Sequence, residues 1–228
     1  MTDAAPKPRR TKAEQREETL ALILDAAEAL FAEHGYYGVT LKDVAKKVGV
    51  SSTLMHYHFN GKESLFDAVW ARGAPRSVDA RLEAMRAYAA KAGDHPTVEG
   101  ALRAFLDTDF DLNMASGSSG RYMGILGAQA NSAPGWGADK MEYFNPTVLV
   151  LVGLLKKALP ECEEARIFWG YHFVSGALTH AMARTGRIDR LSNGLCSSED
   201  FESIKQYMAT FMAAGFEAIC RLPDAGPA

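Results

Sequence analysis

Apolar residues recur at helical spacing along most of the chain, and the alternation typical of a half-buried strand is almost absent. The first such stretch follows Thr11 and Glu14, a residue pair that forms a capping box at helix N-termini. It ends at Gly35, a residue type that commonly stops a helix. The pattern predicts a first amphipathic helix over 12–34, whose apolar positions are Leu20, Ile23, Leu24, Ala27, Leu30 and Phe31.

Two short helices are predicted next, separated by a glycine turn. Thr40 begins a second capping-box pattern, and the helix that follows it ends at Gly49. Either Ser51 or Ser52 can cap a third helix that ends near residue 58. Two short helices joined by a tight turn form a helix-turn-helix motif. The inward side chains of the third helix are expected to be Leu54, Met55 and Phe59.

The rest of the chain also predicts helices. A fourth begins near Lys62 and is expected to break at Gly73 and Pro75, because proline cannot donate the helical hydrogen bond. Asn145 can cap a later helix that has Pro146 at its first position. The fold class is therefore predicted to be all-α, with further helices over 77–92, 96–115, 120–131, 146–159, 162–185 and 199–221.

Composition is that of a globular protein, with 47% hydrophobic residues and a net charge of −3. No apolar run reaches the roughly 18 residues of a membrane span, and the N-terminus is polar, unlike a signal peptide. Cys162, Cys196 and Cys220 lie far apart without a CxxC pair, which predicts free thiols in a reducing compartment. We therefore expect a cytoplasmic protein with no membrane partner.

Positive charge is concentrated near the N-terminus. Between Pro6 and Arg16, five Lys and Arg residues stand against a single glutamate. Such an arm is either a solvated tail or a contact for nucleic-acid phosphates.

A set of residues between 20 and 66 resembles a known family. The set comprises the Ala-Ala-x-x-Leu-Phe pattern of the first helix, then Thr40, Val44-Ala45, Gly49-Val50-Ser51, His58-Phe59 and Lys62-Glu63. These residues are similar to the DNA-binding domain of the TetR family of bacterial transcriptional regulators. Many members carry Leu-Tyr where this chain has Met55-His56, so the chain departs from the family pattern there.

The resemblance implies a division of the chain into a DNA-binding part and a larger helical part. A basic flexible arm is expected at the N-terminus and a flexible tail at the C-terminus. Between them lie a three-helix helix-turn-helix domain and a helical bundle for ligand binding and dimerisation. The expected boundaries are 1–11 for the arm, 12–60 for the DNA-binding domain, 61–222 for the bundle and 223–228 for the tail.

In this family the third helix enters the major groove, and the segment before the fourth helix contacts phosphates. A recognition helix also needs an outward face of hydrogen-bond donors and acceptors that reach base edges. A lysine at a helix start can grip a phosphate together with free backbone amides. The candidate DNA-binding residues are Thr40, Ser51, Ser52, Thr53, His56, Tyr57 and Lys62.

Competing chemistries find little support in the motifs. His56 and His58 point about 200° apart on a helix, and no cysteine or carboxylate completes a ligand set, so no metal site is predicted. Gly61-Lys62 lacks the earlier glycine that a phosphate-binding loop requires. The segment 117–120 lacks the spacing of a nucleophile elbow. We expect neither an enzyme nor a cofactor.

Two late helices are similar in placement to the dimerisation helices of the family. The resemblance implies a homodimer, whereas packing within one subunit is the alternative for any single residue. A dimer is also expected because one small helix-turn-helix buries too little surface on DNA to be selective. The candidate interface residues are Phe173, Ala177, Ala181, Met208, Phe211 and Gly215.

A region rich in aromatic and methionine residues lies between the DNA-binding part and those helices. Such side chains can line an apolar cavity, although plain core packing is the better explanation for each of them taken separately. The resemblance implies an effector pocket, and a weaker similarity points to the fatty-acid and acyl-thioester responsive subgroup. The candidate ligand-binding residues are Phe105, Phe110, Met114, Tyr122, Met123, Leu126, Trp136 and Phe144.

Two functions follow from these features. The first is a homodimeric regulator, most simply a repressor, that binds a palindromic DNA operator and is released by a small apolar or amphipathic effector. The alternative is a DNA-binding protein without a small effector, whose C-terminal bundle serves protein partners or assembly. A cavity of several hundred Å³ would favour the first function, and a filled core with an exposed apolar patch the second.

Overall fold

The computed structural model describes residues 11–115 and 117–223, and every regular element within these ranges is a helix. The chain forms two units, Met1–Val69 and Trp70–Ala228. The arm predicted for 1–11 and the tail predicted for 223–228 lie outside the described residues, apart from Thr11 and Pro223. The helices are α1 (Lys12–His34), α2 (Leu41–Val48), α3 (Ser52–His58), α4 (Lys62–Ala92), α5 (Val98–Ala115), α6 (Gly117–Ser132), α7 (Ala138–Glu142), α8 (Asn145–Ala158), α9 (Glu164–Met182), α10 (Arg187–Leu191) and α11 (Phe201–Cys220).

The first three helices begin and end where the sequence predicts. Thr11 and Glu14 form a complete capping box at the start of α1. Thr40 and Asp43 form a second complete box at the start of α2. Gly49 ends α2 in the left-handed conformation, which glycine adopts without steric cost.

The core of the first unit is built around Phe31 of α1. Its ring lies 5.1 Å from that of Phe66 in an edge-on arrangement, a favourable geometry for aromatic pairs. Ile23, Val44 and Met55 are also buried, so α1, α2 and α3 each contribute to one core. The unit extends to Val69, and Leu65, Phe66 and Val69 in the first two turns of α4 are buried. It thus includes residues 61–69, which the sequence assigned to the bundle.

The predicted break at Gly73 and Pro75 is wrong, because α4 is continuous from Lys62 to Ala92. Pro75 removes one backbone hydrogen bond from the helix, which packing can offset. Ala74 and Val78 beside it are buried, and Gly73 lies so close to Met123 that an added Cβ would meet the sulfur at 2.4 Å. The helix predicted over 77–92 is therefore the second half of α4.

Three smaller differences concern helix ends and loops. Asn145 does not cap α8, since Phe144 holds the N-cap position without a side-chain hydrogen bond. The segments between the predicted helices 120–131 and 146–159, and between 162–185 and 199–221, contain two short helices, α7 and α10. Both are five residues long, and a periodic pattern cannot be recognised over so few positions.

The core of the second unit is centred on α5. This helix packs against α6, α8 and α11, and α9 packs against α6, α8 and α11. The α5 side chains Leu102, Leu106 and Phe110 are completely buried. On its polar side, Arg81 of α4 forms a buried ion pair with Asp109.

The prediction of free thiols is wrong for two of the three cysteines. Cys162 and Cys220 form a disulfide, with Cα atoms 5.0 Å apart, whereas Cys196 is free and exposed. The pair meets because α9 and α11 run antiparallel, which brings the start of one helix to the end of the other. Arg166 supports the same junction by donating to the carbonyl oxygens of Ile219 and Leu222. Sequence spacing alone cannot show this proximity, since the two residues are 58 positions apart.

Candidate functional sites

The turn between α2 and α3 fixes the direction in which α3 leaves the core. The amides of Gly49 and Val50 both donate to the carbonyl oxygen of Ala45, at 2.9 and 3.0 Å. These two hydrogen bonds to one carbonyl oxygen end α2 and turn the chain within three residues. Ser51 then starts α3, and its hydroxyl accepts a hydrogen bond from the amide of Leu54 at 3.1 Å.

The two faces of α3 differ sharply. Met55 is fully buried and Phe59, just after the helix, is 5% exposed, so these side chains hold α3 against the core. The opposite face is exposed and polar, and it consists of Ser52, Thr53, His56 and Tyr57. These positions are spaced so that they share one side of the helix. Four of the seven predicted DNA-binding residues thus form one outward surface, which we call the α3 face.

Ser51 lies beside this surface but has a structural task. Its hydroxyl caps α3, so its oxygen is already engaged within the protein. Sequence reasoning left open whether Ser51 or Ser52 caps the helix, and the structure assigns the cap to Ser51.

Thr40 is likewise occupied within its capping box. Its hydroxyl donates to Asp43 Oδ2 at 2.6 Å, and its amide donates to the same oxygen at 2.9 Å. These hydrogen bonds, the side-chain one first, lower the pKa of the Asp43 carboxyl below its ordinary value. Thr40 is exposed but faces a carboxylate that competes with any phosphate for its hydroxyl.

Lys62 is positioned by two tyrosines that precede α2. Its ammonium lies 4.6 Å from the ring centroid of Tyr36 and 5.6 Å from that of Tyr37. Such contacts restrain a flexible lysine without neutralising its charge. Tyr36 and Tyr37 were not among the residues predicted from the sequence to belong to the site.

Arg16 of α1 is a second cation that sequence reasoning did not connect with α3. Its guanidinium lies 5.5 Å from the centroid of the Tyr57 ring, which is 68% exposed. The arginine therefore brings positive charge directly to the α3 face. Its position in the basic N-terminal segment was the available signal.

The eight predicted ligand-binding residues differ in burial. Phe105, Phe110 and Leu126 are buried, Met114 is exposed, and the other four are half-buried. Phe105 and Phe144 both contact Arg81, whose guanidinium lies 4.2 Å from the ring centroid of Phe105 and 5.6 Å from that of Phe144. Phe110 instead packs against Phe201, with ring centroids 5.5 Å apart.

A groove of about 660 Å³ lies in the second unit along α4 and α5. None of the eight predicted ligand-binding residues lines it. Its lining residues are Ala80, Ala84, Tyr88, Gly100, Arg103, Ala104, Asp107, Thr108, Asp111, Leu112 and Ala115.

The predicted interface residues lie on α9 and α11, where the surface is unusually apolar. Phe173 and Phe211 are 56% and 74% exposed, whereas Ala177, Ala181 and Met208 are half-buried. Sequence reasoning missed three further exposed aromatic residues on the same two helices: Phe168, Trp169 and Tyr207. Trp169 and Phe173 are four residues apart and stack at 6.3 Å, so helical spacing was the available signal.

Two kinds of feature are absent from the described part of the chain. There, no helix is long and apolar enough to cross a bilayer. Within residues 11–115 and 117–223, no three His, Cys, Asp or Glu residues are grouped so that they could hold a metal ion.

Two parts of the chain match models of known protein families. Residues 23–69 match the family model of bacterial regulatory proteins of the tetR family, and residues 103–215 match the tetracyclin repressor-like C-terminal domain. The negative transcriptional regulator of the biofilm operon icaADBC, IcaR from Staphylococcus aureus, is 44% identical over 45 residues. This match spans 20% of the present chain and only 24% of IcaR.

Solved structures extend the fold similarity over nearly the whole chain. The fatty acid degradation regulator FadR from Bacillus halodurans superposes with a TM-score of 0.55 at 16% identity, covering 91% of this chain and 98% of that one. FadR from Bacillus subtilis, solved in complex with stearoyl-CoA, gives 0.51 at 14% identity, covering 86% and 98%. At such identities the similarity concerns the fold. The two family models, which together match most of the chain, show that it belongs to the tetR family of bacterial regulatory proteins, whose members are DNA-binding transcriptional regulators rather than enzymes.

Proposed function

We propose that the protein is a homodimeric repressor that binds a palindromic DNA operator and is released from it by a small apolar or amphipathic effector. The observation that carries this proposal is the α3 face, a polar surface on a short helix anchored by Met55. The major groove admits an α-helix and presents base edges that hydroxyl and imidazole groups can read. Repression agrees with the description of IcaR as a negative regulator.

The proposed role of each residue on DNA follows from the contacts of its side chain within the protein. Ser52, Thr53 and Tyr57 have exposed groups and read bases, with His56 beside them. Lys62 binds phosphate, because its ammonium is held at the start of α4, and the backbone amides of a first helical turn also favour an anion. Thr40 and Ser51 act mainly by fixing the ends of α2 and α3.

A homodimer is supported by the apolar surface of α9 and α11. Soluble monomers rarely leave a contiguous aromatic patch in water, and a second copy of the same surface would cover it. Phe173 and Phe211, the two predicted interface residues with large exposed rings, lie within this patch. Two-fold symmetry would place the two α3 helices on half-sites about 34–36 Å apart.

An effector is supported by the presence of a groove large enough for a drug-sized molecule. The weak resemblance to regulators that respond to acyl compounds, together with the stearoyl-CoA complex of the Bacillus subtilis neighbour, makes fatty acids and acyl thioesters one class to test. The site of action would be the bacterial cytoplasm, where the operator lies.

The alternative function, a DNA-binding protein whose bundle serves a protein partner, has its own supporting observation. Ile188, Leu191 and Leu195 form exposed apolar positions around α10, outside α9 and α11. A second copy bound through α9 and α11 leaves this segment unexplained.

The test is selection of binding sites from a random DNA library, followed by fluorescence anisotropy on the enriched sequence. We expect an inverted repeat, two protomers per site by sedimentation, and dissociation by at least one member of a panel of acids, acyl thioesters, aromatics and cations. Enrichment of a single half-site would contradict the dimeric operator. Dissociation by no member would favour the protein-partner alternative.

A further inference from the structure

The groove in the second unit has mostly small apolar walls and one charged region. Ala80 and Ala84 of α4 face Gly100 and Ala104 of α5, and these small side chains leave the space between the two helices open. Tyr88 contributes its ring at one end, where its hydroxyl is occupied by Thr97. An elongated apolar group can lie along the small residues of this groove.

Asp107 supplies an unusual polar group in this groove. Its Oδ1 atom is shielded from solvent and has no hydrogen-bond partner among the described residues. Burial is the main cause that raises the pKa of the Asp107 carboxyl above its ordinary value. A buried carboxylate oxygen without a partner is destabilising, and a ligand that supplies a positive charge would relieve that cost.

The neighbouring charges are already committed to other partners. Arg103 donates to Glu99 and to Thr210, and Lys205 pairs with Asp111 at 2.5 Å. Both cations lower the pKa of Asp107 from a distance, whereas Asp111 raises it. In and beside the groove there are thus two cations, Arg103 and Lys205, and three carboxylates. Glu99 pairs with Arg103 and Asp111 pairs with Lys205, which leaves Asp107 without a direct partner.

We propose that this groove binds a cationic amphiphile, with its ammonium group beside Asp107 and its apolar chain along the alanines of α4 and α5. The proposal rests on the proposed function, because it assigns a chemical class and a place to the effector. An ammonium restores charge balance at Asp107, whereas a carboxylate head group would be repelled by Asp107 and Asp111. The volume of about 660 Å³ lies within the range of small-molecule sites.

The experiment uses three probes with the same eight-carbon chain: octyltrimethylammonium, octanoate and octanol. Their binding to the full-length protein is measured by isothermal titration calorimetry without DNA. We expect octyltrimethylammonium to bind about tenfold more tightly than either other probe, because its head group is cationic whereas those of octanoate and octanol are anionic and neutral. Equal or tighter binding of octanoate would overturn the proposal and favour an acyl effector.

Matched variants locate the site. Asp107→Asn keeps the shape of the side chain and removes its charge, so it should weaken binding of the cation by about tenfold or more. Glu83→Gln removes the same charge from an exposed position on α4 outside the groove, and should change the affinity by less than about twofold. Ala84→Trp fills the channel and should abolish binding of all three probes. Equal affinity of Asp107→Asn and the unaltered protein for the cation would overturn the assignment.

Failure of this proposal can be told apart from failure of the proposed function. Asp107→Asn lies in the second unit, so its operator affinity in the absence of ligand should equal that of the unaltered protein. If operator binding persists while the cation does not bind, the groove assignment is wrong and the DNA-binding proposal stands. Circular dichroism of each variant confirms that its helices are intact.

Discussion

At the scale of single residues, neighbouring side chains of α3 are expected to perform different tasks. Ser51 caps the helix, Ser52 next to it is exposed with no capping bond, and Met55 is buried. A substitution at each position should therefore affect a different measurable quantity. Sequence reasoning predicted the outward residues correctly as a set, but it could not separate the cap from its neighbour, because both are serines.

Alanine substitution of Ser52, Thr53 or Tyr57 should cost roughly 1–3 kcal/mol of binding free energy on the operator and little on random DNA. The reason is that base contacts exist only on the cognate sequence. Lys62→Ala is the contrasting variant: it should weaken binding to all sequences alike and reduce the salt dependence of the binding constant. Both effects can be read from anisotropy titrations at several salt concentrations.

Ser51→Ala is the control for stability in this series. Loss of its cap should cost about 0.5–2 kcal/mol of unfolding free energy, with no preference between operator and random DNA. An operator-selective loss in Ser51→Ala would move this residue among the base readers. Equal losses on both DNAs for Tyr57→Ala would move Tyr57 among the phosphate contacts.

At the scale of elements, helix ends were predictable wherever a cap lies next to its helix in sequence. The boundaries of α1, α2 and α3 follow from Thr11, Thr40 and Ser51, each of which bonds an amide three residues on. The continuity of α4 was not predictable, since tertiary packing around Gly73 offsets the local effect of Pro75. Local signals thus define ends, and contacts distant in sequence decide whether a helix continues.

Gly170 lies at a close approach of α9 to α11, and its substitution tests that packing. An added Cβ would lie 2.2 Å from Cε1 of Phe216, a ring that is itself buried in the core. Gly170→Ala should therefore destabilise the protein by about 1–3 kcal/mol, the usual cost of overpacking. Chemical denaturation measures the change.

Gly153 provides the matched control in a helix. A Cβ there meets no atom within 4 Å, so Gly153→Ala should stabilise the protein by up to about 1 kcal/mol through helix propensity. If both variants change stability in the same direction, the close contact at Gly170 does not determine the outcome.

At the scale of the whole molecule, the disulfide joins parts of the chain that the sequence gives no reason to connect. Cys162 and Cys220 are 58 residues apart. Closing a loop of this length stabilises a protein by about 4 kcal/mol in the chain-entropy model. The double variant Cys162→Ser with Cys220→Ser should lose stability of that order in urea denaturation.

Reduction of the unaltered protein supplies an independent check. Dithiothreitol should lower its unfolding midpoint toward that of the double variant and leave the double variant unchanged. Cys196→Ser should have no effect, because Cys196 is exposed and free. An unaltered protein that is insensitive to reductant would show that this disulfide contributes nothing to stability.

The sequence predicted the all-α class and the α3 face because both depend on local periodicity and on recognisable caps. The groove was not predicted, since the sequence pattern pointed to aromatic and methionine residues as the pocket lining. Small residues such as Ala84 and Ala104 create the space instead, and they do so only when α4 and α5 lie side by side. A groove forms where facing side chains are small, and hydrophobic periodicity along the sequence does not show which side chains will face each other.

Coupling between effector binding and operator binding would involve both units of the molecule. The boundary between the two units, at residues 69 and 70, falls inside α4, so one continuous helix carries the chain from one unit to the other. The proposed palindromic operator requires both α3 helices of the proposed homodimer to dock about 34–36 Å apart, and a small tilt of α4 in each subunit would spoil that spacing. An effector that favours the tilted conformation must therefore bind more weakly when operator is present, by the same factor by which it weakens operator binding, typically about 5- to 150-fold. The measurement is the affinity of an operator-releasing compound with and without saturating operator. An affinity that is unchanged by operator would mean that the compound exerts no allosteric control over DNA binding.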